Sequence, residues 1–165
     1  GLPNRTNFNR RCDEELSRAA RHGHQTGLLF LDLDGFKAVN DTHGHAVGDD
    51  LLKVVAGRPT ASLRRSDVAA RQGGDEFVIL LPEVEGPETA ERVADKLIEE
   101  VNAPIYVEGL SLRVGVSIGI AMAPEDGMTV SDLQRHADAA MYVSKANGRN
   151  RWSRFNPDME PHDAS

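Results

Sequence analysis

The sequence predicts an α/β fold, of the kind also described as α+β, in which a mixed central β-sheet is flanked by helices. Amphipathic helical patterns alternate with short apolar strands along the 165 residues. Two of the central strands form a hairpin, so the sheet should contain antiparallel pairs. With 39% hydrophobic residues, a chain of this length can bury a sizeable core as one domain.

The first half of the chain contains three helical patterns and one strand. The helices are predicted at residues 7–21, 36–41 and 47–63, and the strand at 27–33. The strand is an apolar run ending in Asp32-Leu33-Asp34, which is typical of a central strand buried on both faces. Gly57 and Pro59 interrupt the third helical pattern. Because proline removes a backbone donor and clashes with the preceding turn, we expect a bend or break between residues 55 and 59.

The second half contains two hairpins, two long helices and further strands. The predicted ranges are 68–81 for the first hairpin, 88–101 and 130–147 for the helices, and 105–108, 110–114, 116–121 and 151–155 for the strands. Glycine supplies the positive φ that a tight two-residue turn requires. Gly73-Gly74 therefore predicts a hairpin whose tip carries Asp75 and Glu76, and Gly109 predicts the second hairpin.

Acidic residues stand at two strand ends. A buried strand tolerates Asp32 only at its end or where the charge is compensated. If the strand lies beside the hairpin, Asp32 meets Asp75 or Glu76, and these carboxylates repel one another unless a cation lies between them. Oxygen ligands of this kind suit Mg²⁺. The alternative for the hairpin is a polar turn that keeps it soluble. Asp34 is left out of the metal set and interpreted as a helix N-cap.

Composition and charge argue against several classes of protein. The net charge of −7 argues against a broad nucleic-acid-binding surface. The single cysteine, Cys12, cannot form an internal disulfide and fits a reducing compartment, so we expect a cytoplasmic location. No apolar run reaches the roughly 18 residues of a membrane span. We therefore expect no direct membrane contact from this segment, whether or not its parent protein is membrane-anchored.

Several separate motifs, in order, resemble those of the GGDEF domain family, the diguanylate cyclases. They lie at residues 1–5, 32–37, 40–45, 48–49, 73–77, 117–121, 137–142, 145 and 148–150, and so cover nearly all of the chain. The resemblance implies a palm-like, ferredoxin-related core similar to that of nucleotidyl cyclases. It also implies an enzyme that condenses two GTP into cyclic di-GMP and two pyrophosphates. Such an enzyme requires Mg²⁺, or Mn²⁺ in its place, and a homodimer that joins the two substrates.

The resemblance also implies roles for individual residues. The implied metal ligands are Asp32, the backbone carbonyl of Leu33, Asp75 and Glu76. Asp75 and Glu76 are the implied catalytic residues, and Glu76 has the alternative role of helping to deprotonate the attacking 3′-hydroxyl. The implied substrate-binding residues are Phe36, Lys37, Asn40, Asp49, Gly73, Gly74, Lys145 and Arg149.

Several of the substrate-binding assignments have a plainer structural alternative. Phe36 and Lys37 follow a glycine at a helix N-terminus, a geometry that favours phosphate. Lys145 and Arg149 are implied triphosphate contacts, although cations favour helix C-termini in any case. Asn40 and Asp49 match the family's guanine readers, and their alternatives are a helix-end asparagine and an N-cap aspartate.

Regulation and domain organisation follow from the same resemblance. Arg64 and Asp67 match an inhibitory site for the cyclic di-GMP product, and the alternative is a solvated helix end followed by a turn aspartate. Residues 1–155 are expected to form the GGDEF domain and 156–165 a polar tail or linker to a further domain. The alternative function is a catalytically silent module that senses GTP or binds cyclic di-GMP, fused to a phosphodiesterase domain. A cyclase that uses ATP is a further alternative.

Overall fold

The structure, a computed structural model, describes residues 5–58 and 63–159. The helices within those ranges are α1 (Arg5–Arg21), α2 (Phe36–His43), α3 (His45–Gly57), α4 (Pro87–Asn102) and α5 (Val130–Ala146). The strands are β1 (Gln25–Asp34), β2 (Val68–Gly73), β3 (Glu76–Val84), β4 (Ile105–Val107), β5 (Leu110–Leu112), β6 (Gly115–Ala123) and β7 (Trp152–Arg154). None of the helices described is long and apolar enough to cross a bilayer.

Five strands form one mixed sheet in the order β2-β3-β1-β6-β7. β1 is antiparallel to both β3 and β6, β2 is antiparallel to β3, and β7 runs parallel to β6. The order of β2, β3, β1 and β6, with helices after β1 and β3, is that of a ferredoxin-like core. β4 and β5 form a separate hairpin around Gly109. The predicted mixed sheet with flanking helices is therefore confirmed.

Both faces of β1 are buried because helices cover the sheet on each side. On one face, Leu29 and Leu31 pack in a cluster with apolar residues of α2, α3 and α4. On the other face, Leu28 and Phe30 pack with apolar residues of α1 and α5. Alternate residues of a strand point to opposite faces, so a continuous apolar run is what two covered faces require. A ligand could therefore reach β1 side chains only at an end of the strand.

Two local features differ from, or refine, the sequence prediction. The turn between β2 and β3 is centred on Gly74 and Asp75, because Gly73 pairs with Glu76 across the hairpin. Asp75 thus lies in the turn itself, whereas Glu76 is the first residue of β3.

Helix α3 ends at Gly57, inside the interval in which a break was expected, but Pro59 lies outside the described residues. Residues 1–4 of the opening motif and the tail after residue 159 also lie outside them.

Candidate active site

The end of β1, the turn between β2 and β3, and the start of β6 meet at one edge of the sheet. Asp32 lies opposite Glu76 of β3 and opposite Ser117 of β6. The backbone N–H of Leu33 donates to the carbonyl of Asp75 at 3.1 Å, which fixes the turn against the strand. The structure thus brings Asp32 next to the hairpin carboxylates, as the sequence predicted.

The Asp32 carboxylate is buried and incompletely compensated. Its side chain is 12% exposed, and Oδ2 forms an ion pair with Nζ of Lys145 at 2.5 Å. Oδ1 is buried and has no hydrogen-bond partner among the described residues. Burial raises the pKa of Asp32 to about 6; Lys145 lowers it and the neighbouring Asp75 raises it further. One ammonium group therefore does not fully compensate this pair of carboxylates.

These groups fit a hard divalent cation. A buried carboxylate oxygen without a partner, next to a second carboxylate, is a donor set of the type that Mg²⁺ prefers. Glu76 is close in register but does not join Asp32 and Asp75 in a described group whose ligand atoms all lie within 4.8 Å of one another. The geometry accordingly ranks Asp32 and Asp75 ahead of Glu76 as cation ligands.

Helix α5 carries positive charge to the same edge. Lys145 lies in its last turn and reaches Asp32, while Arg149, beyond the helix end, lies 3.4 Å from Asp34. Arg149 and Asn150 have positive φ values of 66° and 51°, which non-glycine residues rarely adopt. Both predicted phosphate contacts are thus paired with carboxylates of β1 in this structure.

The interpretation of Asp34 as a helix cap is wrong. The N-cap of α2 is Gly35, and no side chain caps that helix. The Asp34 carboxylate instead accepts hydrogen bonds from the Ser117 hydroxyl at 2.9 Å and from the Asn150 N–H at 2.9 Å, in addition to the Arg149 contact. Asp34 therefore fixes the segment after α5 to the sheet.

Sequence reasoning gave Ser117 and Asn150 no role at this edge. Their bonds to Asp34 span 83 and 116 residues of sequence, so no local pattern could predict them. Asn150 also exchanges two side-chain hydrogen bonds with Asn102 at the end of α4 and accepts one from the Val116 N–H. The one available signal was that both residues fall within motifs shared with a family.

Asn40 and Gly48 form the contact between α2 and α3. A Cβ at Gly48 would lie 1.7 Å from Oδ1 of Asn40, so only glycine lets the amide pack there. That Oδ1 is buried without a hydrogen-bond partner among the described residues. Asp49, the next residue, is exposed and lies inside α3, whose N-cap is Gly44, so it is not a helix cap. An unpaired amide oxygen and an exposed carboxylate are both groups that can accept hydrogen bonds from a ligand.

The other predicted substrate contacts lie at the start of α2 and in the turn between β2 and β3. Lys37 is exposed in the first turn of α2, whereas Phe36 is buried beneath it. Gly73 and Gly74 have positive φ values of 150° and 50°, and within the described part of the chain a Cβ at either would meet no atom within 4 Å. The turn therefore offers bare backbone that a ligand could approach closely.

Arg64 and Asp67 form a closed pair just before β2. The Arg64 guanidinium donates to Asp67 Oδ1 at 2.9 Å, and its backbone N–H donates to Oδ2 at 2.7 Å. Nη2 also donates to the carbonyl of Pro82 at 2.7 Å. The side chain of Asp67 is 2% exposed and that of Arg64 49%. Asp67 is therefore not a solvated turn residue, and the arginine presents half of its surface to solvent.

The profile of the family described as "Diguanylate cyclase, GGDEF domain" matches residues 1–151. The chain is a GGDEF domain. Over 158 residues it is 44% identical to the bifunctional diguanylate cyclase/cyclic di-GMP phosphodiesterase MucR of Pseudomonas aeruginosa, covering 96% of this chain and 23% of MucR. It is 42% identical to the diguanylate cyclase TpbB of the same species, covering 90% of this chain and 34% of TpbB.

Solved structures agree with the fold of this GGDEF domain. The crystal structure of the TpbB GGDEF domain matches with a TM-score of 0.92 and 40% identity, covering 94% of this chain and 98% of that one. The GGDEF domain of DgcB from Caulobacter crescentus, in complex with cyclic di-GMP, matches with a TM-score of 0.84 and 31% identity over 93% and 91% of the two chains. The chain thus spans about a quarter of MucR and a third of TpbB, but nearly all of the TpbB domain structure.

Proposed function

We propose that this GGDEF domain is a diguanylate cyclase that condenses two GTP into cyclic di-GMP. One observation carries the proposal: at the edge of the sheet, the buried carboxylate of Asp32 lies beside Asp75 and forms an ion pair with Lys145. One oxygen of that carboxylate has no hydrogen-bond partner among the described residues. The chain belongs to the GGDEF family and has relatives named as diguanylate cyclases, which supports interpreting this edge as a cyclase active site.

The reaction forms two phosphodiester bonds. In each, the 3′-hydroxyl oxygen of one GTP attacks the α-phosphorus of the other, and the bond from that phosphorus to the leaving pyrophosphate breaks. One domain binds one GTP, so two copies of the chain must face each other as a homodimer. Glu76, at the start of β3, is the candidate to accept the hydroxyl proton; its other candidate role is as a metal ligand.

The residues that would hold Mg²⁺, or Mn²⁺ in its place, are Asp32, Asp75, Glu76 and the backbone carbonyl of Leu33. Bound there, the ion would neutralise charge that develops on the α-phosphate and the leaving group. Lys145 keeps a further positive charge at the same carboxylate, and Arg149 keeps one at Asp34. Together they would hold the triphosphate against an otherwise acidic edge.

The chain's own groups would also position the nucleotide. The backbone around Phe36, with Lys37, begins α2 and would donate to phosphate oxygens, as would the bare backbone of Gly73 and Gly74. Asn40 and Asp49 would read guanine, because a carboxylate accepts from the N1–H and N2–H₂ donors of that base. This assignment is supported by Oδ1 of Asn40, which is buried without a hydrogen-bond partner in the part of the chain that the structure describes.

Product feedback is assigned to Arg64 and Asp67. The guanidinium is half exposed and is held in place by Asp67 and the Pro82 carbonyl, so it presents an ordered fork to an anion. Cyclic di-GMP carries two phosphates, so arginines of two domains could bind one product molecule. That would hold the domains in an arrangement in which their GTP sites do not face each other.

The second candidate is a catalytically silent module that senses GTP or binds cyclic di-GMP beside a phosphodiesterase domain. This candidate is supported by the relative NbdA of Pseudomonas aeruginosa, which is 40% identical over 150 residues and is named only as a cyclic di-GMP phosphodiesterase. In this view, residues 1–155 form the regulatory domain and 156–165 lead to the next one. Both candidates place the domain in the cytoplasm, with neither nucleic acid nor membrane as a direct partner.

One experiment separates the two candidates. Purified domain is incubated with GTP and Mg²⁺, and cyclic di-GMP and pyrophosphate are quantified by chromatography. We expect both products from the wild type and neither from Asp75→Asn, because an amide is a far weaker Mg²⁺ ligand than a carboxylate. Absence of product from a folded wild type that still binds GTP would favour the silent module. Equal turnover by Asp75→Asn would overturn the site assignment.

A further inference from the structure

A second group of potential metal ligands lies away from the acidic edge of the sheet. Nδ1 of His22 lies 3.6 Å from Oε1 of Glu83, and the rings of His22 and His24 are 6.1 Å apart, edge to face. One ligand atom from each of the three side chains lies within 4.8 Å of the other two. Among the described residues, no other group of three or more such side chains is this compact.

We propose that His22, His24 and Glu83 form a binding site for a zinc-type divalent transition metal. Two imidazole nitrogens and one carboxylate are a donor set typical of zinc, with a fourth position left for water. Bonds of about 2.0–2.1 Å at tetrahedral angles separate ligand atoms by about 3.3 Å. The pair from His22 and Glu83 is already close to that spacing, and both histidines are exposed, so their rings can rotate.

The backbone at the end of α1 orients the two histidines. His24 N–H donates to the Ala19 carbonyl at 2.8 Å and Gly23 N–H donates to the Ala20 carbonyl at 3.2 Å. Gly23 has a φ of 70°, so the chain reverses here in the manner of a Schellman cap. This turn fixes the backbone of both histidines at the C-terminal end of a helix, where the helix dipole favours a cation.

A bulge in β3 supplies the carboxylate independently of that turn. Gln25 pairs with Val84 and Gly27 with Leu81, so β3 has one more residue than β1 between these pairs. Glu83 lies in the bulge with a φ of 52°, a conformation that costs energy for a residue with a side chain. Bulges turn a side chain away from the regular alternation of a strand. In this structure the bulge places the carboxylate of Glu83 beside His22.

This site differs chemically from the proposed magnesium site. Imidazole ligands suit zinc and similar ions, whereas Mg²⁺ prefers an all-oxygen set. A bound ion would join the end of α1 to the end of β3, and would therefore stabilise the folded chain. The last turn of α1 contains two basic residues, Arg18 and Arg21, and Arg18 is paired with Glu15 at 3.8 Å.

The test is Zn²⁺ titration of the domain by calorimetry in saturating Mg²⁺, so that the carboxylate site is occupied. We expect one strong equivalent of Zn²⁺ per chain, and an affinity lower by about tenfold or more in His22→Ala, in His24→Ala and in Glu83→Gln. With free Zn²⁺ about 100-fold above Kd, the wild-type melting temperature should rise by about 5–10 °C.

The matched control is the other His-Gly-His sequence of this chain, at residues 43–45. His43 ends α2 and His45 begins α3, and neither belongs to a compact group of three ligands in the described chain. The double variant His43→Ala/His45→Ala should bind Zn²⁺ as the wild type does. The proposal is overturned if the wild type binds no Zn²⁺ under these conditions. It is equally overturned if the three site variants keep wild-type affinity, or if the control loses as much as they do.

Discussion

Gly119 is the position where a single methyl group should do most damage. It lies in β6, and a Cβ there would be 1.8 Å from the carbonyl oxygen of Ala137 and 2.3 Å from the N of Met141. Both atoms belong to the backbone of α5 and cannot rotate away. Real Cβ atoms essentially never approach closer than 3.0 Å, so Gly119→Ala must separate α5 and β6 by at least 3.0 − 1.8 = 1.2 Å.

The cost can be bounded from known overpacking effects. Inserting a methyl group into a well-packed core costs about 1–3 kcal/mol, and a clash between two backbones belongs at the upper end. For a domain of this size, about 3 kcal/mol lowers the melting temperature by roughly 6–12 °C. Because α5 carries Lys145 to Asp32, the same displacement should also lower cyclase activity in the fraction that remains folded.

Thermal denaturation followed by circular dichroism measures this effect. The matched control is Gly57→Ala at the end of α3, where a Cβ would meet no atom of the described residues within 4 Å and φ is not positive. That variant should be as stable as the wild type or more stable by up to about 1 kcal/mol. If Gly119→Ala melts within 2 °C of the wild type, the close packing of α5 on β6 is wrong.

Three further predictions concern the proposed site and its regulation. Asp49→Ala should weaken GTP binding by roughly 1.5–3 kcal/mol, or about 10- to 150-fold, and leave ATP binding unchanged; equal losses by titration would exclude guanine reading. Arg64→Ala should raise the cyclic di-GMP concentration needed for half-inhibition with little change in initial rate, whereas Arg65→Ala should not, and inhibition purely competitive with GTP would refute the site. The pKa of Asp32 is raised from 3.8 to about 6 by burial, so the folded state keeps a proton that the unfolded state releases between these values. The unfolding free energy of the metal-free domain should therefore fall as pH rises from about 4 to about 6, and Asp32→Asn should reduce that slope in urea titrations; an unchanged slope would contradict the shift.

The parts of the fold that depend on local patterns could be predicted from the sequence. The buried strand β1 could be predicted because its apolar run is continuous, and the hairpin because glycines supply positive φ. The meeting of Asp32 with Asp75 followed once these two elements were assumed to be neighbours.

The remaining features depend on contacts between distant residues. Nothing near Asp34 indicates that it binds Ser117 and Asn150, because those partners come from β6 and the segment after α5. The role of Gly119 likewise depends on how closely α5 packs, which is a property of the tertiary structure. From the sequence, a short polar residue such as Asp34 fits a local helix cap as well as it fits a long-range hydrogen bond. The sequence therefore could not decide between the two.

The initial rate of cyclic di-GMP formation, measured across domain concentration, tests the central claim most directly. If two copies must face each other, the rate per domain should rise with concentration in dilute solution and level off once pairs predominate. Asp75→Asn should give no product at any concentration. A rate per domain that is independent of concentration down to the most dilute sample would contradict catalysis by a transient pair. Absence of product from GTP with either Mg²⁺ or Mn²⁺ would contradict the assignment as a cyclase.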